Sequence, residues 1–231
     1  MRLARITVFA GHFGSGKTSL AVAYALWAKQ QRDRVILCDL DIINPYFRIA
    51  DAVADLTKAG IGLIASRFAN TNVEVPALPT ETLTLFDDND ITGIIDLGGD
   101  GRGALVFGRY ANLLQNSSDY EMLLVINQYR PLTRNLDDLC NIKNDMESAS
   151  KTRFTGIVNN PNLAEVTTLE DVCATADFAA MASAMFDLPL KMTVVDKHLI
   201  QSENTMQQVQ QTLGEIFPIT LYKNFFNTEV N

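Results

Sequence analysis

No stretch of this chain is apolar over the roughly 20 residues that a membrane-spanning helix requires, so the sequence disfavours a membrane protein. Cysteine is scarce, because the 231 residues hold three and none forms a Cys-x-x-Cys pair typical of zinc or redox sites. Basic residues are outnumbered, 19 Lys and Arg against 27 Asp and Glu, and the net charge of −8 disfavours binding to nucleic acid. These deficits together predict a cytoplasmic protein in a reducing compartment.

Apolar runs of strand length alternate with segments of helical period along the sequence. Strands are predicted at 6–10, 35–38, 62–64, 93–95, 122–126, 154–158 and 190–194, and helices at 18–31, 46–56, 105–115, 133–149, 169–185 and 205–213. The strands are nearly continuously apolar, as strands covered on both faces are. This order predicts a three-layer α/β fold with a mostly parallel, doubly wound sheet, in a single domain over residues 1–231.

Two segments fall outside this alternation. The region from Phe68 to Asp90 holds two prolines, Pro76 and Pro79, and is predicted to be a long connection. The aromatic-rich segment from Phe217 to Phe226 has two open interpretations, a docking tail or a strand that pairs in a dimer.

The first predicted strand is followed by the string Gly11-His12-Phe13-Gly14-Ser15-Gly16-Lys17-Thr18, which matches the phosphate-binding motif G-x-x-x-x-G-K-S/T. A strand before it and a helix after it supply the context that the motif requires. Glycines let the backbone N–H groups turn toward phosphate oxygens, and the helix N-terminus adds partial positive charge. We therefore expect residues 11–19, including Ser19, to bind nucleotide phosphates, with Lys17 on the β- and γ-phosphates and Thr18 on a magnesium ion.

A magnesium–nucleotide site needs a carboxylate at the carboxyl end of a neighbouring strand. Asp39 and Asp41 follow the second predicted strand, and Asp96 follows the fourth. Asp39 and Asp96 are therefore candidate metal ligands together with Thr18, although Asp96 would also suit an ordinary turn. The sequence from Asp96 to Gly99 reads D-x-x-G, in which the Gly99 N–H would bond the γ-phosphate and sense its departure. The same glycines could equally make a static turn.

In their order and spacing, the phosphate-binding loop, Cys38-Asp39-Leu40-Asp41 and Ile95-Asp96-Leu97-Gly98-Gly99 resemble the MinD/ParA branch of P-loop proteins. This branch is related to the nucleotide-binding domains of cobyrinic acid amide synthases and nitrogenase iron protein. The stretch 41–48, Asp-Ile-Ile-Asn-Pro-Tyr-Phe-Arg, is typical of a bacterial and archaeal subgroup. The resemblance covers most of the chain and implies the P-loop NTPase fold, ATP and Mg²⁺ as cofactors, and a homodimer. It also implies a catalytic set in which Lys17 binds phosphate, Asp41 positions the attacking water, and Asp96 supports Mg²⁺ through its water shell.

The resemblance further implies a base-reading residue, because the family reads adenine with an asparagine after the sixth strand, where Asn159 stands. A carboxamide can pair with the donor and acceptor edge of adenine. No N-K-x-D guanine motif occurs there, since Asn159 is followed by Asn160, Pro161 and Asn162. Adenine is therefore favoured over guanine, although Asn159 and Asn160 would also suit a turn before the proline.

One position departs from the family, since the signature lysine after the first glycine is replaced by His12. In the family that lysine reaches across a nucleotide-sandwiched dimer and stabilises charge on the departing phosphate. Three possibilities stay open: a protonated His12 substitutes, Arg48 or Arg102 does so, or hydrolysis is slow and the protein mainly senses nucleotide.

The leading interpretation is a magnesium-dependent ATPase whose nucleotide state switches loops near Asp41 and Gly99, with homodimerisation, to act on an unidentified client protein. A second is an enzyme that uses ATP to activate a small acid, as dethiobiotin synthetase and cobyrinic acid amide synthases do. A third is a nucleotide-responsive adaptor that does not hydrolyse. The acidic charge and the lack of a clear C-terminal amphipathic anchor argue against DNA or membrane positioning.

Overall fold

The computed structural model describes residues 1–40, 50–65, 80–99, 101–117 and 119–221. Their strands are Ile6–Ala10 (β1), Val35–Leu40 (β2), Gly62–Ala65 (β3), Thr92–Leu97 (β4), Tyr120–Ile126 (β5), Gly156–Asn159 (β6), Leu190–Asp196 (β7) and Ile216–Ile219 (β8). All eight form one sheet in the order β3-β2-β4-β1-β5-β6-β7-β8, and every pairing is parallel. The predicted α/β fold with a doubly wound parallel sheet is confirmed. The single domain over residues 1–231 stays a prediction.

Helices cover both faces of this sheet. They are Lys17–Lys29 (α1), Ala50–Lys58 (α2), Thr84–Asp87 (α3), Gly101–Phe107 (α4), Ala111–Asn116 (α5), Leu136–Ser150 (α6), Leu169–Ala174 (α7), Ala176–Phe186 (α8) and Glu203–Leu213 (α9). Short 3₁₀-helical segments lie at Thr80–Leu83, Gly108–Tyr110, Pro131–Thr133, Ala164–Val166 and Lys197–Leu199. None of the helices in the described ranges is long and apolar enough to cross a bilayer.

The core has two main layers because the central strands are apolar on both sides. On one face, Phe9 and Leu37 pack with α1 and α2. On the other face, their neighbours Val8 and Cys38 pack with α4, α5, α6 and α8. Successive strand residues therefore point to opposite faces, as strand geometry requires. This alternation decides on which side of the sheet each polar residue near a strand end lies.

Two predicted helices are divided in the structure. The helix predicted at 105–115 is interrupted by the 3₁₀ segment at Gly108, which lies against α6, so that a Cβ there would be 2.8 Å from the carbonyl oxygen of Ala149. The helix predicted at 169–185 is interrupted at Thr175, whose hydroxyl donates to the carbonyl of Val172 at 2.8 Å. Such a bond from a threonine hydroxyl to a carbonyl of the preceding turn competes with regular helix bonding.

Other predicted elements begin or end elsewhere. The helix predicted at 133–149 begins at Leu136, because the Asn135 side chain accepts a hydrogen bond from the Asp138 N–H and caps it. The connection predicted at 68–90 is helical from Thr80 to Asp87 and is anchored by the buried Leu85. Its residues 66–79 lie outside the described residues, as does the first part of the helix predicted at 46–56.

The segment predicted as a docking tail or dimer strand begins inside β8. This strand pairs with β7 of the same chain, and the Thr193 N–H donates to the Glu215 carbonyl at 2.8 Å. The first residues of the segment, from Phe217, therefore pair within the chain, and residues 222–226 lie outside the described residues. Pro218 in this edge strand has no N–H to offer a further strand, which opposes edge-to-edge association.

The C-cap of α6 provides a test of backbone strain. Lys151 has a φ of +55°, and this left-handed conformation costs an L-residue about 1–2 kcal/mol. Glycine relieves that strain but loses more entropy on folding, so we expect Lys151→Gly to raise the free energy of unfolding by about 0.5–1 kcal/mol in urea denaturation. Lys151→Ala keeps the strain and serves as the control. Equal stability of the two variants would contradict the assignment.

Candidate functional site

The glycine-rich loop connects β1 to α1. Gly14 and Gly16 have φ values of +80° and +83°, which glycine adopts without steric penalty. The Ser15 N–H donates to the carbonyl of His12 at 3.2 Å and closes a turn. Since α1 begins at Lys17, the loop ends at a helix N-terminus, where backbone N–H groups and the helix dipole favour an anion.

The loop lies so close to β5 and to the segment after β6 that two of its glycines have no space for a side chain. A Cβ on Gly11 would lie 2.4 Å from the carbonyl oxygen of Val125. A Cβ on Gly16 would lie 2.3 Å from Nδ2 of Asn160. The motif therefore needs these glycines for close packing within the protein as well as for access to phosphate.

Gly99, the predicted sensor of the γ-phosphate, also lies directly against this loop. A Cβ on Gly99 would be 2.4 Å from the backbone nitrogen of Phe13 and 2.8 Å from the carbonyl carbon of His12. The segment after β4 and the phosphate loop are thus in backbone contact. Movement of one requires adjustment of the other.

Thr18 and Asp96 meet at the start of α1. The Thr18 hydroxyl donates to Oδ2 of Asp96 at 2.6 Å, and both side chains are buried. Asp39 is buried on the adjacent strand, in register with Asp96. Both acids fall two residues after apolar side chains that pack on the α1 face, Leu37 and Ile94, so they share that face. The predicted metal ligands Thr18, Asp39 and Asp96 therefore lie at one edge of the sheet.

The exact placement of these acids differs from the sequence-based expectation that they follow their strands. Asp39 lies within β2 and Asp96 within β4, because the strands extend to Leu40 and Leu97. Asp41, predicted to position the attacking water, and Arg48 lie outside the described residues. The side chain of Arg102 likewise lies outside the described part of the structure.

Lys17 and His12 both contact the loop itself. The Lys17 Nζ donates to the carbonyl of His12 at 3.1 Å, which places a positive charge inside the loop. The His12 Nδ1 lies 2.9 Å from the carbonyl oxygen of Phe13, and because a carbonyl only accepts, Nδ1 is the donor. The Phe13 side chain, in contrast, is 53% exposed.

The donors of this site fit a magnesium-bound polyphosphate. The buried hydroxyl of Ser15 makes no hydrogen bond to any described residue, so it is available to a phosphate oxygen. No group of three or more His, Cys, Asp or Glu side chains in the described ranges could hold a metal by itself. Magnesium typically takes one or two carboxylates and completes its octahedron with water and substrate phosphates. The Thr18 hydroxyl and the Asp96 carboxylate are oxygen donors of the kind that such a magnesium ion uses.

Cys38 lies beside this cluster but is not a nucleophile. Burial raises the pKa of its thiol to about 12, so the thiol is protonated at neutral pH. What the arrangement offers is anion binding and divalent-cation binding, and not covalent catalysis by this cysteine.

Two side chains that were not predicted to belong to the site contact the loop from outside. Nδ2 of Asn160 donates to the carbonyl of Ser15 at 2.6 Å, and Nε of Arg130 donates to the carbonyl of Gly14 at 2.9 Å. Neither contact leaves a local pattern, because Asn160 and Ser15 are 145 residues apart. The strand order would have indicated these contacts, because the segments that follow the neighbouring strands β1, β5 and β6 meet at one edge of the sheet.

Asn159, the predicted adenine reader, ends β6 with a fully buried side chain. Its Nδ2 donates to the hydroxyl of Thr175 at 2.9 Å, toward the junction of α7 and α8. A nearby cleft with an internal volume of about 10 Å³, room for about one water molecule, is lined by Asn160, Asn162 and Asp196 among others, and Asn159 does not line it. Its role in reading the base stays a prediction.

No protein-family model matches this chain, and no curated protein sequence matches it. Among solved structures, the fold is similar to cell division protein FtsY from Thermotoga maritima, with a TM-score of 0.58 at 17% identity over 91% of this chain and 68% of that one. It is also similar to signal recognition particle receptor FtsY from Elizabethkingia anophelis in complex with GDP, with a TM-score of 0.53 at 15% identity over 93% and 65% of the two chains. FtsY from Mycoplasma mycoides gives a TM-score of 0.53 at 17% identity over 91% and 66%.

This chain spans about two thirds of the length of these FtsY structures. At such identities the likeness shows the fold alone, which is the P-loop nucleotide-binding fold that the glycine loop predicts. The narrower assignment to the MinD/ParA branch rests on the sequence motifs.

The contact between Gly99 and the loop can be tested with a nearby glycine as its control. Because a Cβ on Gly99 would overlap the loop backbone, we expect Gly99→Ala to lower the free energy of unfolding by about 1–3 kcal/mol. Apart from its chain neighbours and its own helix backbone, no described atom lies within 4 Å of a Cβ on Gly101, so Gly101→Ala should not lower the free energy of unfolding by more than about 0.5 kcal/mol. Urea denaturation measures both. Similar values for the two variants would show that the backbones are not in contact.

Proposed function

We propose that this chain is a magnesium-dependent nucleoside triphosphatase that works as a nucleotide-controlled switch. The observation that carries the proposal is the buried hydrogen bond between Thr18 and Asp96 at the N-terminus of α1. A hydroxyl and a carboxylate are hard oxygen ligands of the kind that Mg²⁺ prefers. Here they lie beside a loop whose N–H groups and Lys17 amine suit polyphosphate.

The residues divide the work between phosphate and metal. The loop N–H groups and Lys17 would bind the β- and γ-phosphates, while Thr18 and Asp96 would hold Mg²⁺, directly or through its water shell. Asp39 adds a second buried carboxylate on the neighbouring strand. Two adjacent buried carboxylates repel each other, and a divalent cation offsets that repulsion. Phosphoryl transfer needs mainly such positioning and charge stabilisation, and Asp41 is proposed to orient the water.

The switch is proposed to act through the segment from Asp96 to Gly99. This segment begins at the metal-binding carboxylate and ends against the loop backbone at Phe13 and His12. Loss of the γ-phosphate would therefore be felt at Gly99 and at the start of α4, which follows at Gly101. Phosphate-sensing loops transmit a nucleotide state in the same order, from the residue that contacts the γ-phosphate to the segment that follows it.

ATP is the proposed nucleotide. The absence of an N-K-x-D motif after β6 removes the usual guanine reader, and carboxamides of Asn160 and Asn162 line the neighbouring cleft. Because one of the similar FtsY structures contains GDP, GTP is the necessary comparison.

Partner proteins are proposed to bind at the carboxyl edge of the sheet. Four exposed apolar side chains follow the neighbouring strands β4, β1, β5 and β6, namely Leu105 at 63%, Phe13 at 53%, Leu132 at 54% and Val166 at 73% exposure. Exposed apolar groups around a site favour protein contact. A second copy of the chain or a client protein is the proposed occupant of this edge.

Lys17 provides the direct test of the function. Removing one member of a buried charge pair typically costs about 2–5 kcal/mol, so Lys17→Ala should weaken nucleotide binding by at least about 30-fold and abolish phosphate release. Lys29→Ala, at the other end of α1, is the matched control. Phosphate release from ATP and GTP is measured with Mg²⁺ and after its removal by EDTA. Wild-type protein that binds neither nucleotide would contradict the proposal.

A second candidate function is a nucleotide-responsive adaptor that does not hydrolyse, and the His12 geometry favours it. His12 stands where the family has its signature lysine, and its Nδ1 donates to its own loop. If His12 takes part in hydrolysis, we expect His12→Ala to lower the turnover number by about 10²–10³-fold, as loss of a transition-state donor does, and His12→Lys to restore it. Unchanged turnover in both variants would remove His12 from the mechanism. Nucleotide binding without turnover in the wild type would favour the adaptor.

A further inference from the structure

Two consecutive carbonyl groups of the phosphate loop are held by side chains from distant parts of the chain. Arg130 donates to the carbonyl of Gly14 at 2.9 Å, and the buried Asn160 donates to that of Ser15 at 2.6 Å. In a planar trans peptide, the N–H of the next residue points opposite to the carbonyl. Fixing these two carbonyls outward therefore fixes the N–H groups of Ser15 and Gly16 inward.

The interior of the loop is where these N–H groups are needed. The Ser15 N–H donates to the carbonyl of His12 at 3.2 Å, the same atom that accepts from Lys17 Nζ, so both donors lie on the inner side of the loop and would exchange this carbonyl for a phosphate oxygen. Backbone N–H groups directed to the position of the lysine amine are the donors that bind phosphate oxygens in loops of this type. Holding their carbonyls in place avoids the entropy loss of ordering the loop on binding.

We propose that Arg130 and Asn160 are positioning residues for the nucleotide phosphates, which orient the Ser15 and Gly16 N–H groups before nucleotide binds. This inference rests on the proposed function, because it assigns a role within the same site. Arg130 supplies a permanent charge, which strengthens its bond to the Gly14 carbonyl. The amide of Asn160 occupies the space that a Cβ on Gly16 would need, so this contact requires glycine at position 16.

The segments that carry these two side chains are themselves fixed. Arg130 lies in a tight turn in which its N–H donates to the carbonyl of Asn127 at 3.1 Å and its own carbonyl accepts from the Thr133 N–H at 3.0 Å. The Asn160 N–H donates to the carbonyl of Ile126 at the end of β5, at 2.8 Å. Nδ2 of Asn127 donates to the carbonyl of Asn162 at 3.1 Å and joins the two segments. Arg130 and Asn160 therefore act from one connected support.

The test compares Arg130→Ala and Asn160→Ala with Arg134→Ala, an exposed arginine four residues further along. Loss of a hydrogen bond to a charged or buried group should raise the Kd for a fluorescent ATP analogue with Mg²⁺ by about 10–100-fold. Arg130→Lys, which keeps a cationic donor, should recover much of that loss. Arg134→Ala should bind like the wild type.

A second readout requires no nucleotide. Amide hydrogen exchange at Ser15 and Gly16 should be faster in Arg130→Ala and Asn160→Ala, while exchange in the central strands and the urea midpoint stay close to wild type. Should Asn160→Ala fail to fold, Arg130→Ala carries the test alone, because its side chain is only partly buried.

The outcomes separate this inference from the proposed function. Wild-type affinity and exchange in both variants, with Lys17→Ala defective, would overturn the positioning role and leave the function standing. A fall in affinity without faster exchange at Ser15 and Gly16 would also overturn it. If the wild type binds no nucleotide, the proposed function fails, and the inference, which rests on that function, falls with it.

Discussion

The hydrogen bond between Thr18 and Asp96 is the contact on which the arrangement of the site depends. It joins the first turn of α1 to the central strand β4, with both groups buried. The rest of α1 packs by its apolar side chains on the same face of the sheet. The hydrophobic effect itself is not directional, whereas a short hydrogen bond is. The Thr18–Asp96 bond therefore adds a directional contact at the point where the phosphate loop enters α1.

A second constraint follows from this position. With α1 fixed, the loop before it must pass between the ends of β4, β5 and β6, where backbone approaches backbone directly. The space that a Cβ would need is taken by Val125 at Gly11, by Asn160 at Gly16, and by the loop itself at Gly99. Parallel strands bring these segments together because all of their carboxyl ends lie at one edge. The glycines are thus a requirement of the sheet topology as much as of phosphate chemistry.

The sequence predicted those parts of the molecule that are encoded locally. Continuous apolar runs with helical segments between them predict a parallel sheet, and the loop motif with Asp96 predicts where phosphate and metal would meet. Contacts made by side chains to distant backbone, such as those of Arg130 and Asn160, leave no periodic signal. The helix interruption at Gly108 depends on close approach to α6 and leaves no local signal either.

The two asparagines at the end of β6 show that the same limit of sequence-based prediction applies to single residues. Asn159 and Asn160 are chemically identical and adjacent, yet one is bonded to Thr175 behind the sheet edge while the other reaches the phosphate loop. Side chains alternate between faces along a strand, so which asparagine faces the site depends on the register of β6. Composition and spacing do not specify that register.

The link between Asn127 and Asn162 has a consequence for the thermodynamics of ligand recognition. It connects the cleft lined by Asn160, Asn162 and Asp196 to the side chain that holds the Ser15 carbonyl. A group that occupies the cleft and a phosphate that occupies the loop therefore bind to parts of one connected structure. By thermodynamic reciprocity, whatever the first does to the affinity of the second, the second does equally to the first.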